Sequence, residues 1–282
     1  MSRTYIKGFD GIRAVAVMMV MVHHKLWAVV PDSLSLGQTG VSLFFCLSGC
    51  LIVGILRDAR ARCESGSSQV GQELKNFYVR RVLRLSPAYF FYVTVALALV
   101  LLWPDKFDYS GFAFHFTYTT NFWVGFVEKS WSNIFGHFWS LAVEEQYYLV
   151  AAPALLLVGM AYARQVMVAF VVVGILTFAV LYLAGASWIT IYTFPTVNFV
   201  IISLGGLLAI YRPVFGAASM AVGLVLLAAA SSSVAAEYIA QVCMVPAGAV
   251  VLLLLAGGCT LVVGFVFSNQ SHPVISALDA GL

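Results

Sequence analysis

The 282-residue chain is 62% hydrophobic and 10% charged, with a formal net charge of +3 at pH 7. A soluble domain covers its surface with about 25% charged residues, so a water-soluble globular fold is excluded and lipid is the main solvent. The 15 Lys and Arg against 12 Asp and Glu form no basic stripe on a soluble face, which excludes a nucleic-acid module.

The N-terminal stretch MSRTYIKGFDGIRAVAVMMV begins with charge, but its apolar run continues through His23 and His24 with no small-residue cleavage site. It reads as a first span, not a cleaved signal. At about 20 apolar residues per span, the chain offers eight segments, near 12–30, 40–56, 87–103, 137–158, 166–185, 194–211, 214–233 and 240–267. The expected fold is an all-α polytopic transmembrane bundle forming one domain over 1–282. Segment 111–127 is aromatic, Thr-rich and broken by His115 and Asn121. Arg57, Arg60, Arg62, Lys75, Arg80, Arg81 and Arg84 place the loop after the second span in the cytoplasm, together with the N-terminus carrying Arg3 and Lys7. If 111–127 does not cross, Arg164 and Arg212 also fall inside, so the eight-span arrangement with a re-entrant or interfacial 111–127 is preferred. The Ser/Gly-rich middle of 57–75 suggests a flexible loop, and NFYVRRVLRL after it an interfacial basic helix.

The five cysteines, Cys46, Cys50, Cys63, Cys243 and Cys259, contain no C-x-x-C pair. They read as small buried hydrophobes, with no metal or disulfide role.

Ionisable groups inside spans cost at least about 2.5 kcal/mol each on insertion scales, which marks them for function. Arg13 and His24 lie eleven residues apart, near three helical turns, on one face and about 16 Å apart along the axis. They form a candidate polar track, set against a reading in which Arg13 anchors and the histidines snorkel. Phe44, Phe45, Ser48 and Gly49 form an aromatic-then-small patch that fits close helix packing, or room for a substrate chain. Glu144 and Glu145 sit two turns into a span, about 100° apart around it, so one at least faces a polar cavity, with Tyr148 one turn away. His24, Ser48 and Glu145 lie about 9, 12 and 11 Å from the outer ends of their spans. That common level suits an acid/base site reached from outside. On the opposite, cytoplasmic face, Arg81 and Arg84 at i, i+3 can grip a phosphate or serve as anchors to anionic lipid.

These patches, in this order, resemble the membrane-bound acyltransferase-3 family, which includes O-antigen and peptidoglycan O-acetyltransferases. The resemblance runs through FDGIRAVAV and His24, GVSLFFCLSG, FYVRRVLRLSPAY and FGHFWSLAVEEQYYLVAAP, spanning 9–153, the last string being the most specific. It implies an acyl-CoA donor, commonly acetyl-CoA, bound at the cytoplasmic face with Arg81 and Arg84 as contacts. A carbohydrate or glycolipid hydroxyl is the implied acceptor, and a bacterial inner membrane the implied home. Arg13 and His24 match the family's Arg-x10-His pair. His24 is then the general base, Glu145 or Glu144 orients or charges it, and Arg13 holds the donor or the oxyanion; Ser48, Phe45 and Tyr148 line the substrate. Ser42 and Cys50 depart from the Asp and bulky aromatic common in the family. The family's bundle of about ten spans continues beyond a segment like SHPVISALDAGL, so the chain is expected to lack the last spans. A proton-coupled transporter or flippase, or an inactive truncated fragment, are the alternatives. The first would use the same charges, but no internal repeat is visible.

Overall fold

The computed structural model describes residues 6–26, 31, 33–103, 111–131, 135–273 and 275. Arg3, Lys106, the 27–30 end of the first expected span and most of the C-terminal dodecapeptide lie outside the described residues. Among those described, the fold is entirely helical, apart from one isolated bridge between Leu34 and Ser232.

The helices are α1 (Phe9–Lys25), α2 (Leu36–Glu64), α3 (Val70–Leu102), α4 (Phe112–Phe116), α5 (Thr120–Phe122) and, after a π-helical turn (Trp123–Glu128), α6 (Phe138–Val158). They continue with α7 (Ala163–Leu183), α8 (Trp188–Thr193), α9 (Pro195–Tyr211), α10 (Ala217–Ser231), α11 (Ser233–Cys243) and α12 (Ala247–Ser268). Each of the eight expected spans overlaps a helix, the last of them also taking in the end of α11. Those over 36–64, 70–102, 138–158, 160–183 and 247–268 are long and apolar enough to cross a membrane, whereas α9 and α10 are apolar but shorter. Segment 111–127 holds no helix of crossing length, only pieces of five, three and six residues. Such irregular backbone at membrane depth is stable only where protein covers it, and the contacts below provide that cover.

The polar stretch 57–75 is more ordered than its Ser and Gly content suggests. Helix α2 runs through it to Glu64 and α3 resumes at Val70. Arg62 donates twice to the Glu73 carboxylate, at 2.8 Å each, and its carbonyl accepts from the Ser65 and Ser67 hydroxyls. The serines thus close the turn instead of loosening it. The basic segment NFYVRRVLRL forms no separate interfacial helix, because it is the continuous middle of α3.

Two compact units divide the chain, residues 1–54 with 200–282, and residues 55–199. In the first, glycines bring backbones together. A Cβ on Gly49 would lie 1.7 Å from the Ile202 carbonyl oxygen, and one on Gly205 would lie 1.9 Å from that of Cys46. Gly223 and Gly258 approach each other's carbonyls in the same way between α10 and α12. The segment before α1 is tied to the one after α12, where the Gln270 side chain accepts from the Lys7 backbone N–H at 2.7 Å and donates to the Lys7 carbonyl at 3.2 Å. The second unit has an apolar core around Val93, Val100, Phe112 and Phe135, and polar side chains close its helix ends and kinks. Pro153 has no N–H to give the Leu149 carbonyl, and the Tyr78 hydroxyl donates to that carbonyl instead, at 3.3 Å. Arg60 donates to the Leu156 carbonyl at 2.7 Å, one of the four orphan acceptors at the end of α6.

Candidate functional site

The second unit gathers ionisable groups between α3 and α6. Along α3 the buried residues Glu73, Phe77 and Arg81 recur every fourth position, the spacing that lines one helix face. The Arg81 guanidinium is 9% exposed and lies 5.1 Å over the Tyr148 ring and 5.6 Å over that of Phe77. Delocalised and weakly hydrated, it is the cation best suited to such a site. On α6 the Tyr148 hydroxyl donates to the Glu144 carboxylate one turn earlier. The charges of Glu144 and Arg81 both act on Glu145. The Glu145 Oε1 atom is buried and has no hydrogen-bond partner among the described residues.

This arrangement differs from the expectation of Arg81 on the opposite face from the glutamates. Because α3 and α6 run antiparallel, with Tyr78 beside Tyr148 and Leu149 and Tyr89 beside Phe138, Arg81 falls at the level of Glu144 and Glu145. Arg84 is exposed, with Leu83 and Val82 exposed beside it. Residues at i, i+3 differ by about 60° around a helix. Here that difference straddles the edge between interior and surface, so the two arginines do not share a site.

The broken segment 111–131 closes over this group. Tyr118 stacks on Tyr89, centroids 4.4 Å apart and planes 17° apart, and its hydroxyl donates to Ser86 at 3.3 Å. The Gln146 amide, next to Glu145 in sequence, donates to the Tyr118 carbonyl and to Asn121 Oδ1, both at 2.9 Å. Asn121 in turn donates to the Thr193 carbonyl at 3.4 Å. His115, fully buried, has Nδ1 2.9 Å from the Thr120 hydroxyl, and its carbonyl accepts from the Tyr89 hydroxyl at 2.7 Å. Thr190 donates to the Gly125 carbonyl in the π-helical turn at 2.5 Å. His115 and Asn121 were visible in the sequence as polar breaks in an apolar run. Tyr118 and Ser86 gave no such signal.

The first unit holds the remaining residues singled out. Arg13 donates to Asp10, one turn earlier, at 2.5 Å. His23 packs its ring against Gly37 of α2, while His24 is exposed with its ring 5.5 Å from that of His23. Phe45 is 2% exposed, and Ser48 is half-buried beside Gly49, whose Cα lies against the α9 backbone. The small-residue patch is therefore engaged in helix packing. Among the described residues no group of three or more His, Cys, Asp or Glu is placed to hold a metal ion.

The class that the fold defines is a helical protein with several spans apolar and long enough to cross a membrane. The acyltransferase-3 family model, an acyltransferase domain, matches residues 6–278, and the chain belongs to that family. It is 35% identical over 204 residues to the peptidoglycan O-acetyltransferase OatA of Listeria monocytogenes, covering 69% of this chain and 30% of that protein. It is 34% identical over 160 residues to the O-acetyltransferase OatA of Staphylococcus aureus, covering 53% of this chain and 24% of that protein. The chain thus spans about a third or less of the length of these relatives. No solved structure matches it.

Proposed function

We propose that the chain transfers a short acyl group, acetyl in the first instance, from acyl-CoA at the cytoplasmic face of the plasma membrane to a hydroxyl of an extracytoplasmic glycan. The family match over 6–278 carries this reading. The names of the relatives make peptidoglycan the first acceptor to test. In the reaction the acceptor oxygen attacks the thioester carbon, the C–S bond breaks, and the hydroxyl proton is removed as the CoA thiolate gains one.

His24 is the base in this reading, because its ring is exposed whereas that of His23 is occupied by packing against Gly37. An imidazole exchanges protons near neutral pH and suits a hydroxyl acceptor. Arg13 stabilises negative charge on the donor or the oxyanion. Within the second unit, Glu145 is the carboxylate of this reading, with Glu144 held by Tyr148 and Arg81 as the neighbouring cation. Membranes carrying the chain, given radiolabelled acetyl-CoA, should incorporate label into envelope glycan, and His24→Ala should abolish it while the protein still inserts. Equal labelling by the variant would remove His24 from its role, and no labelling by the wild-type chain would overturn the reading.

A further inference from the structure

Four large rings meet where α6 begins and α8 lies beside it, all within the second unit. The Trp139 ring packs on Tyr192 with centroids 4.6 Å apart, and Trp131 touches both, 6.1 Å from each. Trp188 stacks on Tyr192, one turn on in α8, with centroids 5.9 Å apart and planes 17° apart. The centre of the group is interior, Trp139 being 4% exposed, whereas Trp131 and Trp188 are 48% and 42% exposed. Two indoles thus flank one tyrosine at the surface, each fixed against protein on one part and open on the rest.

Indoles at a membrane surface also serve as lipid-interface anchors, a role that asks only for an amphipathic ring at headgroup level. This group is built more tightly than that. The Ser187 hydroxyl accepts from the Thr190 N–H at 3.2 Å, and the Thr190 hydroxyl donates to the Gly125 carbonyl at 2.5 Å. The Asn198 amide donates to the Tyr192 and Phe194 carbonyls at 2.7 and 3.0 Å. Helix α8 is therefore tied to the π-helical turn on one side and to the start of α9 on the other. Rings held in place before binding lose little conformational entropy when a partner arrives.

A pyranose ring fits such a surface. Its axial C–H groups form an apolar face that the negative face of an aromatic ring attracts, while its equatorial hydroxyls stay in water. Location agrees with this. Helix α6 runs antiparallel to α3, with Tyr78 beside Tyr148 and Tyr89 beside Phe138, so Trp139 lies at the end away from Arg80 and Arg84. In the arrangement that puts those arginines in the cytoplasm, the rings lie at the extracytoplasmic end. Trp139 is also two turns from Gln146 on one side of α6, about 10 Å along the axis, which sets the rings just outward of the level of Glu145.

We propose that Trp131 and Trp188 form a stacking subsite for a pyranose ring of the glycan acceptor, with Trp139 and Tyr192 as its rigid base. The inference rests on the acceptor being an extracytoplasmic glycan.

The test uses the full chain in lipid nanodiscs and a soluble tetramer of N-acetylglucosamine as the probe. Binding is read by titration calorimetry, and transfer by kinetics with radiolabelled acetyl-CoA. Trp188→Leu keeps apolar bulk but loses the flat face, so it should weaken probe binding about tenfold, whereas Trp188→Tyr should stay within about threefold of wild type. Trp131→Leu should act in the same direction, and it covers the case in which Trp188→Leu fails to fold. In transfer to the tetramer, KM for the glycan should rise about tenfold in the Leu variants, with kcat and KM for acetyl-CoA within about twofold, as expected for loss of ground-state binding. Rings that serve only as lipid anchors would let both Leu variants bind the probe like wild type. That result, or no binding of the probe by the wild-type chain, would overturn the proposal. Ring-dependent binding with no transfer by the wild-type chain would leave the subsite standing and overturn the acyl-transfer reading instead.

Discussion

Helices α2 and α6 both interrupt apolar sequence with a short unusual patch, and the two patches do opposite things. In α2 the patch is small, Ser48 and Gly49, and its contact is backbone: the groove it leaves is filled by α9. In α6 the patch is charged and hydroxylic, Glu144 to Tyr148, and it recruits side chains, namely Arg81 and, through Gln146, Tyr118 and Asn121. A small residue in a span removes bulk and is satisfied by van der Waals contact. A carboxylate adds a demand for donors and counter-charge that only other polar groups can meet. The first patch therefore fixes where helices cross, and the second concentrates chemistry.

Breaking the α2 seam should have the largest effect. Gly205→Val forces side-chain carbon into the Cys46 carbonyl and should cost about 4 kcal/mol or more, read as loss of folded protein by size-exclusion of detergent extracts. A well-folded variant would show that the seam is not needed. Next, His24→Ala should lower transfer by about 10²–10⁴-fold with unchanged yield. His23→Ala, which removes only a packed ring, should keep transfer within a few-fold and lower the melting temperature; the reverse pattern would exchange the roles of the two histidines. In the α6 patch, Glu145→Gln should reduce kcat more than Tyr148→Phe, because the Tyr148 hydroxyl donates to Glu144. Equal losses would mean that the pair works as one unit.

The smallest effect is expected outside the apolar spans. Two hydrogen bonds from Arg62 hold the Glu73 carboxyl below its ordinary range. A lowered carboxyl stabilises the fold above the unfolded pKa, and that contribution is lost as pH falls through the folded value. Arg62→Gln should therefore cost about 1 kcal/mol at pH 7 and nothing at a pH where Glu73 is protonated. Melting curves of the two proteins should converge on acidification; parallel curves would show that the pair contributes nothing.

The helical segments were legible because hydropathy over twenty residues is a strong signal, and Glu144 and Glu145 stood out because charge in such a segment is rare. The order of 57–75 was not, since Ser65 and Ser67 read as loop residues until their acceptor, the Arg62 carbonyl, is known. Nor was the inward turn of Arg81, although Glu73, Phe77 and Arg81 at four-residue spacing carried that information. Tyr118 was hidden for a deeper reason: its carbonyl is held by Gln146, twenty-eight positions away, and no local pattern encodes it.

The glycine crossing also sets a schedule for biogenesis. Gly49 leaves the ribosome roughly 150 residues before Gly205, and at about 5–20 residues per second that is about 8–30 s. During this interval the groove on α2 has no α9 to fill it. Nascent α2 must wait in the bilayer with its Gly49 face against lipid or an insertion factor, and the first unit closes only after the second has been synthesised in between.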